Sequence, residues 1–110
     1  MPKSKVWISY DLGVRGDYDG MYQFLDSHNA KEAGDALAVL DYEYKRMLPD
    51  ELRAELKKAV KTDRRSRVYI IYREKEADIN RGKFIIGGRK TPPWSGYSVS
   101  DSGDEDREDR

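Results

Sequence analysis

Apolar side chains fall at every second position over Lys5–Leu12 (Val6, Ile8, Tyr10, Leu12), with Trp7, Ser9 and Asp11 between them, a period that predicts a strand. Gly13 and Gly16 mark a turn, and Asp17 then caps a helix running to about residue 29. Tyr18, Met21, Tyr22, Leu25 and His28 recur at three- and four-residue spacings and share one face of it. Ala30–Ala33 predicts a short strand broken at Gly34. Asp35–Tyr44 predicts a longer one with Ala36, Ala38, Leu40, Tyr42 and Tyr44 on one side. Leu37 and Val39 make its middle apolar on both sides, the pattern of a sheet covered twice.

Pro49 suits the first turn of a second helix reaching to about Thr62, with Leu48, Leu52, Leu56 and either Ala59 or Val60 as its buried stripe. Its outer face carries Arg53, Glu55, Lys57, Lys58 and Lys61, the cations gathering at the end the helix dipole favours. Arg67–Arg73 is a strand, Lys75–Gly82 a polar connection, and Lys83–Gly87 a last strand pairing back as a hairpin. The run GGRKTPPWSGY is loop or extended chain, because its glycines and prolines forbid regular structure.

This order predicts an α+β fold, an open antiparallel sheet with two helices on one face, for which the ferredoxin-like split β-α-β topology is the leading arrangement. The sheet's second face then needs a partner chain, a ligand or water, which is the ground for expecting a homodimer. The chain has 110 residues, enough for one core. Residues 1–97 form that domain, and 98–110 are too polar to offset their ordering entropy and predict a disordered acidic tail.

Composition narrows the chemistry. Cysteine is absent, which excludes a disulfide framework, a thiol nucleophile and a cysteine zinc site. One histidine, His28, cannot build a histidine-rich metal site. No apolar run approaches the ~20 residues of a spanning helix, and MPKSKVWISY lacks a leader core, so a cytoplasmic protein without membrane contact is expected. The net charge of zero conceals an asymmetry. Residues 1–56 carry 7 basic and 11 acidic side chains, residues 57–100 carry 12 and 4, and the last ten carry 2 and 6. The cationic stretch lies in the second half of the folded body and points to a polyanionic partner.

Asp11 is the main candidate for chemistry. It stands at the end of the first strand beside a glycine turn, where a carboxylate can ligate Mg²⁺. In a dimer, two copies of it can share one ion that activates water or steadies a phosphate. Asp17 and Asp19 lie within eight residues of Asp11 and can join it; the competing reading is that Asp11 accepts backbone N–H bonds in the turn while Asp17 caps the helix. Lys57, Lys58, Lys61, Arg64, Arg65, Arg67, Arg89 and Lys90 are the candidate phosphate contacts, interleaved with Tyr69, Tyr72, Phe84 and Trp94. Core packing is the competing role for Tyr69, Tyr72 and Phe84. The Leu12–Gly20 turn has some features of a phosphate-binding loop but lacks a P-loop lysine. Trp94, between prolines and a glycine, is suited to folding over a groove or docking on a neighbouring subunit.

With these elements in order, the chain resembles the CRISPR-associated protein 2 group and its relatives, the VapD-type toxins and SinR-like proteins. The resemblance rests on VWISYDL, the -HNA- turn, AKEAGDALAVLDYEY, LPDELRAEL and SRVYIIYR, across residues 5–90. It implies a ferredoxin-like homodimer that handles nucleic acid, in some members as a metal-dependent nuclease and in others as a scaffold. Asp11 is the one residue it carries over, as catalytic metal ligand for Mg²⁺. The glycine-rich loop after Asp11, Gly34–Asp35 in the second strand and the acidic tail depart from the group's pattern. The expectation is therefore a small homodimeric nucleic-acid-binding protein with an Asp11-dependent phosphodiesterase activity. The alternative is a non-enzymatic prokaryotic or phage accessory protein that binds another protein or a small phosphorylated ligand.

Overall fold

The computed structural model describes residues 2–98, so the acidic tail lies, but for Ser98, outside the described residues. In chain order the elements are β1 (Lys3–Asp11), α1 (Tyr18–Ser27), β2 (Lys31–Gly34), β3 (Leu37–Glu43), α2 (Leu48–Ala59), β4 (Arg67–Glu74) and β5 (Ile79–Ile86). The strands form one antiparallel sheet in the order β2-β3-β1-β4-β5. The α+β class, the two helices and the open sheet are as expected. The strand order is not the four-stranded ferredoxin one, because β5 is added beyond β4. No described helix is long and apolar enough to cross a membrane.

The alternation read in β1 sorts its side chains between two environments. Ser4, Val6 and Ile8 are buried, as are Ala38, Leu40 and Tyr42 of β3 and Val68, Ile70 and Tyr72 of β4. These residues meet Met21, Phe24 and Leu25 of α1 and Leu48, Leu52 and Leu56 of α2 in one core, so both helices cover the same face. Phe24, rather than Tyr22, belongs to the buried stripe of α1, and Tyr22 is exposed. Val60, not Ala59, closes the stripe of α2.

Side-chain caps tie the helices to this layer. At the start of α1, one oxygen of Asp17 accepts the Gly20 N–H at 3.0 Å and the other accepts the Lys61 N–H at 2.9 Å, joining α1 to the exit of α2. These N–H groups, Lys61 first, hold its carboxyl below the usual range. The start of α2 has no side-chain cap at Met47. Glu51 reaches back instead and accepts the N–H groups of Lys45, Arg46 and Met47 at 2.8–2.9 Å. His28 is held as well: its Nε2 lies 2.6 Å from Glu55 of α2, which also accepts the Tyr42 hydroxyl at 2.8 Å. Burial first, then Glu55, pushes the Tyr42 hydroxyl pKa up.

All five strands differ from their expected limits, β1 by starting at Lys3 and ending at Asp11, β2 by including Gly34, and β4 by one residue at its end. β3 begins at Leu37 because Asp35 and Ala36 make the turn from β2, with Ala36 at φ +57°. β5 starts at Ile79, and Lys75–Asp78 alone form the connection. Near its end β5 bulges. Val68 pairs with Ile86 and Tyr69 with Phe84, leaving Ile85 as the extra residue, so that Ile85 and Ile86 are both buried. The Arg53 Nε–H donates to the Ile85 carbonyl at 2.9 Å, supplying a partner at the bulge.

Candidate functional site

The second face of the sheet carries the alternate residues, and no described element covers it. The register places Val39, Trp7, Ile71 and Gly82 in one row, and Leu37, Ser9, Tyr69 and Phe84 in the next. Asp11 and Arg67 stand opposite each other in the row beyond. The apolar middle of β3 is thus half-buried by its own neighbours rather than by a second layer. Trp7 and Ile71, at the centre of a five-stranded sheet, remain 39% and 43% exposed. Cations outnumber carboxylates here: Lys3, Lys5, Lys31, Arg67 and Arg73 share the face with Asp11, Asp41 and Glu43.

At one end of this face Ser9, Asp11, Arg67, Tyr69, Phe84 and Arg89 line an open cavity of ≈ 330 Å³. Arg67 and Arg89 come together because the starts of β4 and the chain after β5 are neighbours. Gly87 turns there with φ +71°, and a Cβ on it would strike the Ser66 carbonyl oxygen. The Asp63 carboxylate accepts the N–H groups of Arg65 (2.8 Å) and Ser66 (3.1 Å), and the Ser66 hydroxyl accepts the Asp63 N–H at 2.9 Å. This tight turn sets where β4 begins.

Arg67 donates to Asp11 at 2.7 Å, and the Gly13 N–H donates to the other carboxylate oxygen at 3.3 Å. The Arg67 hydrogen bond holds the Asp11 carboxyl below its ordinary value against the opposing effect of burial, with smaller help from the Gly13 N–H and from the charges of Arg67 and Lys90. Asp11 is therefore an ionised carboxylate already engaged on both oxygens. Among the described residues no three His, Asp or Glu side chains gather into a metal-binding group. A cation on Asp11 would have to displace Arg67 or draw ligands from another copy. Arg89 lies over two rings, its guanidinium carbon 5.5 Å from the Phe84 centroid and 6.0 Å from that of Tyr69. Those rings meet edge to face, 4.9 Å apart at 72°.

The structure divides the candidate basic residues. Arg67 and Arg89 line the cavity, and Lys90 lies close enough to act on Asp11 electrostatically. Lys61, Arg64 and Arg65 are exposed in the segment between α2 and β4, whereas Lys57 and Lys58 are exposed on α2, in the layer behind the sheet. Of the aromatics, Tyr72 is in the core, while Tyr69 and Phe84 are half-buried on the open face. The alternation of RVYIIYR signals this, since Tyr69 falls between the buried Val68 and Ile70. Ser9 was open to the same inference from β1. Trp94 does not fold over a groove: it is 71% exposed, in turns where the Ser95 N–H donates to Pro92 and the Tyr97 N–H to Trp94. The Leu12–Gly20 turn offers little to an anion, because the Asp17 carboxylate already holds the Gly20 N–H.

No family model, curated protein or solved structure matches the chain. The resemblance to the CRISPR-associated protein 2 group thus rests on the sequence pattern alone.

Proposed function

We propose that this chain is a small nucleic-acid-binding protein that takes single-stranded DNA or RNA onto the uncovered face of its sheet. One observation carries this reading: Arg67 and Arg89 frame a cavity whose walls include Tyr69 and Phe84, on a face with an excess of cations. Guanidinium groups neutralise phosphates without regard to sequence, and aromatic rings stack on unpaired bases. A sheet that presents rings and cations on one open face can do both at once. Asp11 serves here to orient Arg67. The order β2-β3-β1-β4, with α1 and α2 each connecting strands that flank a third, supports reading these elements as a ferredoxin-like unit to which β5 is appended.

A titration of labelled single strands followed by fluorescence anisotropy tests this. The protein lacking residues 98–110 should bind at low salt, with affinity falling steeply as salt rises. Replacing Arg67 and Arg89 together by alanine should weaken binding by about tenfold or more and lower the salt slope by about 1–2. Absence of binding at low salt by both the full-length and the shortened protein would end the proposal.

Two other readings compete for the same face. Trp7 and Ile71 are apolar and exposed at its centre, which supports a homodimer closed over this surface. Sedimentation showing a dimer that Trp7→Ala dissociates would assign the face to a second copy. Asp11 shared between two copies is the remaining route to a Mg²⁺-dependent phosphodiesterase. Metal-dependent strand cleavage abolished by Asp11→Asn, with binding retained, would establish it.

A further inference from the structure

We infer that Tyr69, Phe84 and Arg89 form a subsite for one unpaired base, and that Gly82 is its positioning residue. This inference rests on the single-strand-binding reading and specifies what that surface would recognise. Tyr69 and Phe84 are direct cross-strand partners, whereas Gly82 pairs with Ile71 one row away. The Tyr69 side chain nevertheless crosses that diagonal: a Cβ built on Gly82 would lie 2.9 Å from Cζ of Tyr69 and closer still to its hydroxyl. Glycine at 82 is therefore what lets the ring extend over β5 instead of standing away from the sheet. Its backbone conformation does not demand glycine, since Gly82 is not among the residues of positive φ. The open space above its Cα is the feature in use.

Arg89 completes the arrangement from the segment after β5. At 5.5 and 6.0 Å from the two ring centroids it sits near the outer limit of a cation–π contact, about 6 Å, and it is solvent-exposed. It makes no described hydrogen bond to a carboxylate that would fix it. A planar ligand that takes its place against a ring can keep the guanidinium as a second stacking surface or as a phosphate contact. The cavity, at ≈ 330 Å³, is at the lower end of the ~300–1,000 Å³ typical of small-molecule sites, room for one flat base and not for a duplex. Every base offers a π-face, so the subsite recognises an unpaired base as such.

The test compares two labelled probes of roughly 12 nucleotides, a single-stranded oligothymidylate and an abasic strand of equal length, over a range of salt. The unmodified chain should bind the base-bearing strand about tenfold more tightly, the size of one base–aromatic stack. Gly82→Ala should bring that ratio close to one while leaving the salt slope and the thermal midpoint unchanged, a combination that mere loss of structure would not produce. Arg89→Lys keeps the charge and removes the plane; it should reduce the ratio with the salt slope intact. It carries the test by itself if Gly82→Ala fails to fold. Binding of both probes with equal affinity by the unmodified chain overturns the subsite and leaves single-strand binding standing. A ratio unchanged in folded Gly82→Ala overturns the positioning role, and binding of neither probe overturns the functional reading with it.

Discussion

Ile70 and Ile71 are neighbours in β4 with the same side chain, yet one is fully buried and the other 43% exposed. The buried part of the covered face, to which Ile70 belongs, is aliphatic apart from Ser4, Tyr42 and Tyr72, with Tyr10 and Tyr44 partly buried beside it and Arg81 and Lys83 exposed at its β5 edge, and two helices pack on it. The uncovered face holds tryptophan, tyrosine, phenylalanine, arginine and aspartate in the alternate positions of the same strands. Packing explains the first set completely. The second set contributes little to a monomer's core, and its rings and guanidinium groups are the kinds of side chain that stack on bases and neutralise phosphates.

The widest separation between the two faces should be in stability. Ile70→Ala should cost about 3 kcal/mol by removing a sealed side chain, and Ile71→Ala less than about 1 kcal/mol, both read from urea unfolding. Equal losses would mean that the second face is also packed in solution. Next comes the turn that brings Arg67 and Arg89 together. Gly87→Ala places a Cβ against the Ser66 carbonyl at a positive φ and should cost about 1–3 kcal/mol, with loss of strand binding. Gly88→Ala meets nothing within 4 Å and should change stability by less than about 0.5 kcal/mol.

One group from each face, Tyr42 and Asp11, should show opposite pH dependences. On the covered side, the folded-state pKa of Tyr42 is raised above its ordinary value of 10.0. Its contribution is complete below that pH and is lost as pH rises from there towards the folded value. Tyr42→Phe should flatten this alkaline decline in a pH series of unfolding midpoints. On the uncovered side, the pKa of Asp11 is lowered by Arg67, so its contribution is present above the ordinary carboxylate range and disappears as pH falls through the folded value. Asp11 is half exposed and its ion pair is open to solvent, so Asp11→Asn should remove an acid-side dependence well under about 1 kcal/mol. An acid-side effect larger than the alkaline one would contradict this ranking.

Much of this frame was legible because alternation and helical spacing report burial directly. β1, β4 and the stripe of α2 follow from period alone, and Val68–Ile70–Tyr72 against Tyr69–Ile71 already separates the faces. β5 was half hidden, since Asn80, Arg81 and Gly82 lie exposed at a sheet edge and carry no apolar alternation. Ala36 in a left-handed turn gives no composition signal, unlike Asn29 and Asp78 at similar φ. Asp11 was visible as a strand-end carboxylate, but its pairing with Arg67 depends on a register that joins residues 56 positions apart. The partner of His28 is hidden in the sequence for the same reason: Glu55 reaches it only once α1 and α2 pack.

The most direct test of the uncovered face is a two-dimensional NMR titration of the isotope-labelled chain with a short single-stranded oligonucleotide. Shifts should concentrate on Trp7, Tyr69, Ile71, Phe84 and the Arg67 and Arg89 guanidinium signals, with Lys57 and Lys58 of α2 unmoved. Shifts that cluster on α2 while those rings stay silent would contradict this reading of the face.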